Sequence, residues 1–462
     1  MKHPTKATPA SFDDSATSFN STDIDSQGTA NVAKLNWRDY FDDVNLTVLI
    51  DTALSKNQEL NIFLQEIEIA KNEVSARTGM YLPFVDFGAG AGFDKVGEYT
   101  RFGALENNLD IKPSNGFPEP LTNYGIGPRA SWEIDIWRKL RNAKKSALKK
   151  FLASLEGRNF LVTNLISEVA NSYYELRALD NQLDIVKQNV VIQTNALETV
   201  KLEKQGARVT ELAVRRFEGQ VSKTNSLQYE IQQKIFETEN KINFLLGRFP
   251  QPVGRDTRAL VDVEPHAVAA GIPSQLLQHR TDIKQAELEI AAAELDVKVA
   301  KAAFYPSLNI SAEMGYEAYR LGSLLKTPES FFYNLTGNLT GPLINRRAIT
   351  ADYYNANAKQ IQAVVNYERT ILNAFIEAAN QISNVKNLKA NYALKAKQVA
   401  SLSTASDIAN TLFTAARADY TEVLLTQRDA IESRFELVET RMRQMKAMVN
   451  LYRALGGGWT NA

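Results

Sequence analysis

The sequence predicts a mainly α-helical protein with a small β part, in which long helices form coiled-coil hairpins. Three observations lead to this fold class. Apolar residues recur at helical spacing over segments far longer than the helices of a compact domain. Four shorter segments alternate apolar and polar residues, which is typical of strands. The chain also repeats itself after a little over 200 residues, which indicates duplication of one structural unit.

The repeat sets the order of the elements. "YLPFVDFGAGAGF" at 81–93 aligns with "FYPSLNISAEMGY" at 304–316, and "VTELAV" at 209–214 resembles "YTEVLL" at 420–425. Each half is therefore predicted to contain, in order, a helix, a strand, a long loop, a strand, a very long helix, a turn and a long helix. This twofold internal repeat predicts two copies of one helix-and-strand unit.

Composition excludes several function classes. Of 462 residues, 44% are hydrophobic and 23% are charged, as in a folded protein. Lys plus Arg and Asp plus Glu both number 53, so no general nucleic-acid-binding surface is expected. The chain has no cysteine and three scattered histidines, which argues against thiol catalysis, disulfides and a metal cluster. We expect no enzyme activity, no metal and no cofactor.

The N-terminal part differs from the rest of the chain. Residues 1–36 are rich in Ser, Thr, Asp and Gly, which predicts an extended arm. The first residues, "MKHPTKATPA", lack the apolar core of a signal peptide. Two alternatives stay open: a cytosolic protein, or an exported one whose signal has been replaced by a Met. No run of 18 or more apolar residues predicts a transmembrane helix.

The long helices are predicted from uninterrupted periodicity. One extends from Trp137 to Val200 without proline, and at ~1.5 Å per residue it would be ~95 Å long. The last helix has a heptad seam of residues spaced by four and three in alternation. Helices of this length should pack side by side as hairpins. The seam residues are Ile431, Phe435, Val438, Met442, Met445, Val449 and Tyr452.

The four predicted strands are 85–93, 124–137, 306–318 and 333–343. In 306–318, apolar Leu308, Ile310 and Met314 alternate with polar or small residues. One apolar and one polar face over ~9 to 11 residues is the pattern of a membrane β-barrel, and a soluble sandwich alternates in the same way. No further strands are predicted to cover the apolar face, and four strands cannot close a barrel. The pattern therefore favours a barrel shared by several chains, with charged residues facing water: Arg129, Glu133, Asp135, Glu313 and Glu317.

Two motifs resemble the outer membrane factor family, the TolC/OprM-like exit ducts of Gram-negative efflux pumps. They are "IPSQLLQHRTDIKQAELEIAAAELDVKVAKAAFYPSLNIS" and the terminal "LYRALGGGW", which matches the OprM-like lipoprotein branch. The resemblance covers about residues 37–460. Thr281 stands where the family usually has proline. Members of this branch commonly begin with a lipid-bearing cysteine, so either Met1 replaces it here or the anchor is absent.

The resemblance implies a homotrimer in the outer membrane that extends into the periplasm. Each chain would give four strands to a 12-stranded barrel that continues into a helical α-barrel. The partners implied are a membrane-fusion adaptor and an inner-membrane transporter of the RND type. The resulting domains are the N-terminal arm 1–36, the periplasmic α-barrel 37–82, 137–303 and 344–456, the strands and outer loops 83–136 and 304–343, and the tail 457–462.

The turns between the long helices correspond to the periplasmic tips of the family, where charged or bulky residues narrow the pore. Three copies around an axis would bring such residues together in rings. The alternative, ordinary turn residues with local salt bridges, stays open for each. An aspartate is frequent in the family where this chain has Leu425, which favours a hydrophobic constriction there. The candidate gate residues are Arg208, Glu211, Arg417, Asp419, Tyr420, Glu422 and Leu425.

Two other functions fit parts of the sequence. A coiled-coil scaffold or adaptor without a pore accounts for the helices and would be soluble without detergent. A secreted pore-former that inserts its strands late would be soluble as a monomer. A stable trimer that depends on detergent distinguishes the channel from both.

Overall fold

The computed structural model of the protein describes residues 35–112, 115–264, 276–415 and 417–459. Long helices dominate it, and a four-stranded sheet lies at one end of them. The arm predicted for residues 1–36 lies outside the described residues, except for its last two. The elements are α1 (Trp37–Tyr40), α2 (Val44–Lys56), α3 (Gln58–Tyr81), β1 (Phe84–Asp94), α4 (Arg101–Asn108), β2 (Asp110–Lys112), β3 (Asn115–Gly116), β4 (Leu121–Ile134), α5 (Lys139–Gln205), α6 (Glu211–Leu245), α7 (Leu276–His279), α8 (Thr281–Ala302), β5 (Ser307–Ala318), β6 (Phe331–Thr340), α9 (Arg347–Thr414) and α10 (Tyr420–Ala454).

The two halves have the same architecture. The series α3, β1, β4, α5 and α6 is followed by α8, β5, β6, α9 and α10 in the same order. The very long helices α5 and α9 contain 67 and 68 residues, and their partners α6 and α10 both contain 35. The predicted duplication is therefore present in the structure as well as in the sequence.

The first long helix starts and ends later than the sequence predicts. It runs from Lys139 to Gln205 instead of from Trp137 to Val200. Arg138 adopts a left-handed conformation (φ 59°) just before it, and Gly206 follows its last turn. A residue with positive φ cannot continue a right-handed helix, so Arg138 fixes the start. Within the described residues, no helix combines the length and the apolar character needed to cross a membrane.

The main core lies about midway along the long helices. There, residues of α1, α2, α5 and α10 form one cluster, and the side chains of Trp37, Leu46 and Tyr173 are almost completely buried. The seam predicted for α10 faces this core, because Val438, Met445, Val449 and Tyr452 belong to it. A shared core at mid-length stabilises both hairpins as one unit, since burial of apolar surface is the main favourable term in folding.

The two motifs that carried the family resemblance meet in space. The buried Arg280 donates hydrogen bonds to Asp282 (2.7 and 3.0 Å), to Glu377 (2.8 Å) and to the Ala454 carbonyl (2.9 Å). Arg453 donates to the same Glu377 (2.5 Å). Burial raises the pKa of Glu377, but the hydrogen bond and charge of Arg280 outweigh it, so the net pKa is lowered. This network joins the start of α8 to the end of α10.

The four strands form one antiparallel sheet in the order β1-β4-β5-β6. β1 and β6 are its edges. The strands differ from the predicted segments by a few residues, and β4 ends at Ile134 instead of Trp137. The two loops at the end away from the long helices, residues 95–120 and 319–330, connect the strands of each half.

Candidate functional site: a charged sheet face and two helical tips

The register places the polar residues of all four strands on one face. Asp86 lies opposite Arg129, Arg129 opposite Glu313, and Glu313 opposite Asn334. Directly paired residues in a sheet point to the same side. A single row of charged and polar side chains therefore crosses the whole sheet. Asp86 and Asn334, which the alternation also places on the polar faces of their strands, are part of it.

Local partners hold several of these charges. Arg129 Nε donates to Glu313 Oε1 at 2.7 Å, and Asn123 donates to Glu317 at 2.6 Å. Both pairs link β4 to β5. Glu133 lies 2.5 Å from Lys139, the first residue of α5. The charges remain partly exposed, with 63% of the Arg129 side chain and 36% of the Glu313 side chain accessible. They can therefore act on ions in the adjoining water.

The opposite face of the sheet is apolar and exposed. None of the described elements covers it, and seven large side chains on it are between 51% and 80% accessible. A soluble monomer rarely exposes a contiguous apolar surface of this kind. The face therefore requires lipid or another protein against it. The seven residues are Val85, Phe87, Phe93, Met314, Tyr333, Leu335 and Leu339.

Aromatic residues mark the end of the sheet next to the helices. Trp132 Nε1 donates to the Tyr81 carbonyl (3.1 Å), and Trp137 Nε1 donates to the Pro306 carbonyl (2.8 Å). The rings of Trp137 and Tyr305 stack at 4.7 Å. Amphipathic rings of this kind concentrate where a membrane protein crosses from lipid to water.

Two glycines let the central strands approach closely. A Cβ atom at Gly127 would lie 2.1 Å from the Met314 carbonyl oxygen, and one at Gly315 would lie 2.3 Å from the Ile126 carbonyl oxygen. No other residue fits at either position without a shift of the backbone. Pro128 follows Gly127, and the β4–β5 ladder is interrupted there.

Asp135 does not have the exposed, lumen-facing position that the sequence analysis gave it. It lies beyond the end of β4, and its side chain is 1% accessible. Its carboxylate accepts hydrogen bonds from the backbone amides of Leu140 (3.0 Å) and Arg141 (2.9 Å). Because the alternation of faces ends with the strand, Asp135 turns inward and binds the otherwise unpaired amides at the start of α5.

The first tip connects α5 to α6. Glu211 forms ion pairs with Lys204 on α5 and with Arg215 on α6 (2.8 Å). The hydrogen bond from Lys204, with the charges of Lys204 and Arg215, lowers the pKa of the Glu211 carboxyl. Arg208 is exposed in the turn, and its backbone amide donates to the Glu203 carbonyl at 2.9 Å.

The second tip connects α9 to α10 and has fewer side-chain bonds. Asp419 is the N-cap of α10, and its carboxylate accepts from the Thr421 amide at 3.5 Å. Arg417 and Glu422 are exposed and form no ion pair with any described residue. Leu425 is 47% exposed. The candidate residues of the second tip are thus mostly free to meet groups outside their own chain.

A shared apolar cluster holds the two tips together. The buried Phe217 of α6 packs with Val214, and Phe413, Tyr420 and Leu424 from the second hairpin contact the same cluster. Tyr420 is therefore a packing residue within the chain. Phe217 and Phe413 were not predicted as site residues, because the cluster joins two hairpins that are far apart in the sequence. Their apolar character in a polar turn region was the only signal.

Comparison with known proteins identifies the family. A model of the outer membrane efflux protein family matches residues 49–248 and 272–457. The chain belongs to the outer membrane efflux protein family. The two matched segments correspond to the two halves, which confirms the internal repeat. The resemblance noted in the sequence and the outer-membrane location are confirmed, and the family is one of efflux ducts, not of enzymes.

Curated relatives span nearly the whole chain. Pyoverdine export outer membrane protein OpmQ of Pseudomonas aeruginosa is 27% identical over 423 residues, covering 92% of this chain and 87% of the relative. Cation efflux system protein CusC of Escherichia coli K12 is 26% identical over 431 residues, covering 93% and 90%. Toluene efflux pump outer membrane protein TtgF of Pseudomonas putida is 26% identical over 436 residues, covering 93% and 86%.

Solved structures have the same fold. The outer-membrane channel OprN superposes with a TM-score of 0.85 at 22% identity, covering 99% of both chains. The open state of the MtrE outer membrane channel of Neisseria gonorrhoeae superposes with a TM-score of 0.83 at 22% identity, covering 99% of this chain and 97% of that one. The predicted fold class, long helical hairpins with a four-stranded sheet, is therefore confirmed.

Proposed function

We propose that this outer membrane efflux protein is the trimeric exit duct of a tripartite pump, through which exported compounds pass passively from the periplasm to the exterior. One observation carries the proposal. The four-stranded sheet has an exposed apolar face, a charged face and two free edges. Lipid would cover the apolar face, water would solvate the charged face, and strands of neighbouring copies would pair with the two edges.

The strand count determines the need for several copies. Four strands are too few to close a barrel, since even the smallest membrane barrels have about eight. In a trimer, β1 of one copy would pair with β6 of the next, so that every edge is bonded. The helices would then form a second barrel on the periplasmic side, coaxial with the first.

The scaffold alternative explains less of the structure. A coiled-coil scaffold or adaptor uses the helices but leaves the apolar sheet face in water. A late-inserting pore-former would need to cover that face before insertion, and none of the described elements does so. The channel accounts for both the helices and the sheet.

We assign the gate to the two helical tips. The support is that Arg208, Arg417, Asp419 and Glu422 are exposed and form no ion pair among the described residues. Around a threefold axis they would meet their counterparts or the adjacent tip. Conductance in planar bilayers tests this assignment. Neutralising Arg417 and Asp419 together should raise the conductance, and an unchanged conductance would locate the gate elsewhere.

The partners follow from the position of the tips. The tips face the periplasm, where a membrane-fusion adaptor and an inner-membrane transporter, of the RND type in our proposal, would engage them. The relatives are named for the export of pyoverdine, cations and toluene, so this fold serves very different cargoes. We therefore assign cargo choice to the inner-membrane partner.

The mass of the detergent-solubilised protein tests the proposal. Light scattering with the detergent contribution subtracted should give three times 51.5 kDa. A monomer that is stable without detergent would exclude the shared barrel. It would also show that the apolar face of the sheet is covered in another way.

A further inference from the structure

Apolar side chains are also exposed outside the sheet, on the loops at its outer end. The segment 99–110, called here the α4 segment, exposes Phe102 (65%), Leu105 (46%) and Leu109 (56%). Phe102 and Leu105, three positions apart, lie on one side of α4, and Leu109 directly follows the helix. In the other loop, 319–330, Leu321 (67%) and Leu325 (73%) are exposed. These loops extend past the strands that would lie in lipid.

The α4 segment is fixed on its other side. A Cβ atom at Gly103 would lie 2.1 Å from the Gly97 carbonyl oxygen, so the helix rests directly on its own loop backbone there. Thr100 caps the helix by accepting from the Gly103 amide at 3.1 Å. The short helix is thus held against its own loop at Gly103, while its apolar side points away from the contact. An ordered helix with an exposed apolar side is a surface for a partner.

The sheet order places two surfaces near the α4 segment. The loop 319–330 of the same chain adjoins it through β4 and β5, but the three apolar side chains stay exposed beside that loop, which leaves the neighbouring copy as the partner. β1 leads into the α4 segment, and the loop 319–330 leads into β6. β1 and β6 are the two edges of the sheet. When β1 of one copy pairs with β6 of the next, the α4 segment of the first copy and the loop 319–330 of the second copy lie side by side at the same end of the barrel.

The charges beside the apolar residues are complementary. In the α4 segment, Leu105 and Leu109 are each followed by an acid, Glu106 and Asp110, while Arg101 before Phe102 is its one base. In the loop 319–330, Arg320 precedes Leu321 and Lys326 follows Leu325, while Glu329 is its one acid. Among the described residues, Glu106, Asp110, Arg320 and Lys326 form no ion pair. Opposite charges next to apolar residues favour contact between these two segments over contact of either with itself.

We propose that the α4 segment of one subunit docks on the loop 319–330 of the neighbouring subunit, forming an outer clasp that fastens the barrel above the lipid. This inference rests on the proposed trimer. The occupant of each apolar surface is a second copy of this chain. The clasp adds apolar burial and ion pairing to the backbone bonds between β1 and β6.

Engineered cysteines test the clasp, because the chain has no cysteine of its own. We would combine Leu105→Cys or Leu109→Cys with Leu321→Cys or Leu325→Cys and oxidise the purified detergent-solubilised protein with copper phenanthroline. A disulfide requires Cα atoms within ~7 Å, so at least one pair should give cross-linked chains at a yield ~10 times that of a control pair. In the control pair, Asn107→Cys takes the place of Leu105→Cys or Leu109→Cys, because Asn107 lies on another side of the same helix.

Two measurements distinguish failure of the proposed clasp from failure of the proposed trimer. Light scattering of each variant before oxidation gives its mass, and a denaturing gel without reductant gives the cross-link. A trimer in which the apolar pairs react no more than the control overturns the clasp and leaves the proposed function standing. That result is also the one expected if lipid covers these side chains. A mass below that of a trimer overturns both.

Charge exchange tests the complementarity independently. Arg320→Glu with Lys326→Glu should lower the cross-linked yield of the best pair, since acids would then face acids. Adding Glu106→Lys and Asp110→Lys should restore it. A yield that responds to neither change would overturn the docking of these two segments.

Discussion

The charged face of the sheet should determine the ion selectivity of the duct, and substitutions of Glu313 and Glu317 allow this selectivity to be tested. Each chain carries five carboxylates and Arg129 on this face, and Lys139 at the start of α5 pairs with Glu133, which leaves a net charge of −3 per chain and −9 for three chains. Glu313→Gln with Glu317→Gln changes the net charge to −1 per chain. Glu313→Lys with Glu317→Lys changes it to +1. The carboxylates are those of Asp86, Asp94, Glu133, Glu313 and Glu317.

The size of the effect follows from screening and charge number. At ~0.1 M salt the Debye length is ~10 Å, so fixed charges on the wall act on ions well into the lumen. A tenfold KCl gradient across an ideally selective pore gives ~59 mV, which corresponds to ~1.4 kcal/mol at ~2.3 kcal/mol per 100 mV. We expect the unmodified duct to show part of this potential with the sign of cation preference. The glutamine pair should retain about one third of it, in proportion to net charge, and the lysine pair should reverse its sign.

Reversal potentials of single channels in planar bilayers measure these values. Glu329→Lys is the matched control for the glutamine pair, since it changes the charge by the same amount per chain but lies in the outer loop, beyond the strands. Its reversal potential should stay close to that of the unmodified protein. Equal potentials for all four proteins would refute the assignment of this face to the lumen. A trimer mass for each variant excludes failed assembly as the cause.

Three further predictions concern stability. Arg280→Met should lower the free energy of unfolding by about 3–5 kcal/mol, because Glu377 and Asp282 lose a buried partner. Arg453→Met, at the more exposed end of the network, should lower it by about 1 kcal/mol. Urea unfolding measures both values. Phe217→Ala should cost about 3–5 kcal/mol at the tips and increase the fraction of time that the channel is open, and an unaltered open fraction would separate the tip cluster from gating. The lowered pKa of Glu377 contributes stability that is present above its ordinary value of 4.5 and is lost as the pH falls below it; Glu377→Gln should therefore show a shallower loss of stability in acid.

The apolar and the polar face of the sheet could both be predicted from the sequence. Leu308, Ile310 and Met314 alternate with polar residues, and side chains alternate between faces along any strand. The alternation determines which face each residue takes, because a slip by one residue would move the apolar set to the polar face. It does not determine that Arg129 pairs with Glu313, since a slip by two residues would keep the same faces. Asp135 was misplaced because the alternation was extended past Ile134. A carboxylate four residues before Lys139 was a signal for a helix start.

Long-range partners could not be predicted in the same way. Arg280 and Glu377 are 97 positions apart, and nothing in either segment specifies the other. Phe217 and Tyr420 belong to one apolar cluster because two separate hairpins end at the same level. Periodicity specifies which side of a helix is buried, but not which helix covers it. The packing of the two hairpins is therefore a property of the folded chain that one sequence alone does not contain.

The two halves share a scaffold and differ in the side chains that they place on the charged face of the sheet. Alignment of Pro83 with Pro306 places Gly88 and Gly90 of the first half opposite Ser311 and Glu313 of the second in the repeat. The guanidinium of Arg129 lies 3.7 to 3.9 Å from the position that a Cβ atom at Gly88 would occupy, so the glycine strand leaves open surface beside the arginine. On its other side, Arg129 binds Glu313 of the second half. Identical halves would have placed equal side chains at both positions. The divergence after duplication thus includes the side chains of the charged sheet face, while the lengths of the long helices changed little, 67 against 68 residues and 35 against 35. This is expected if the helices serve as scaffold and the residues of the charged face serve transport.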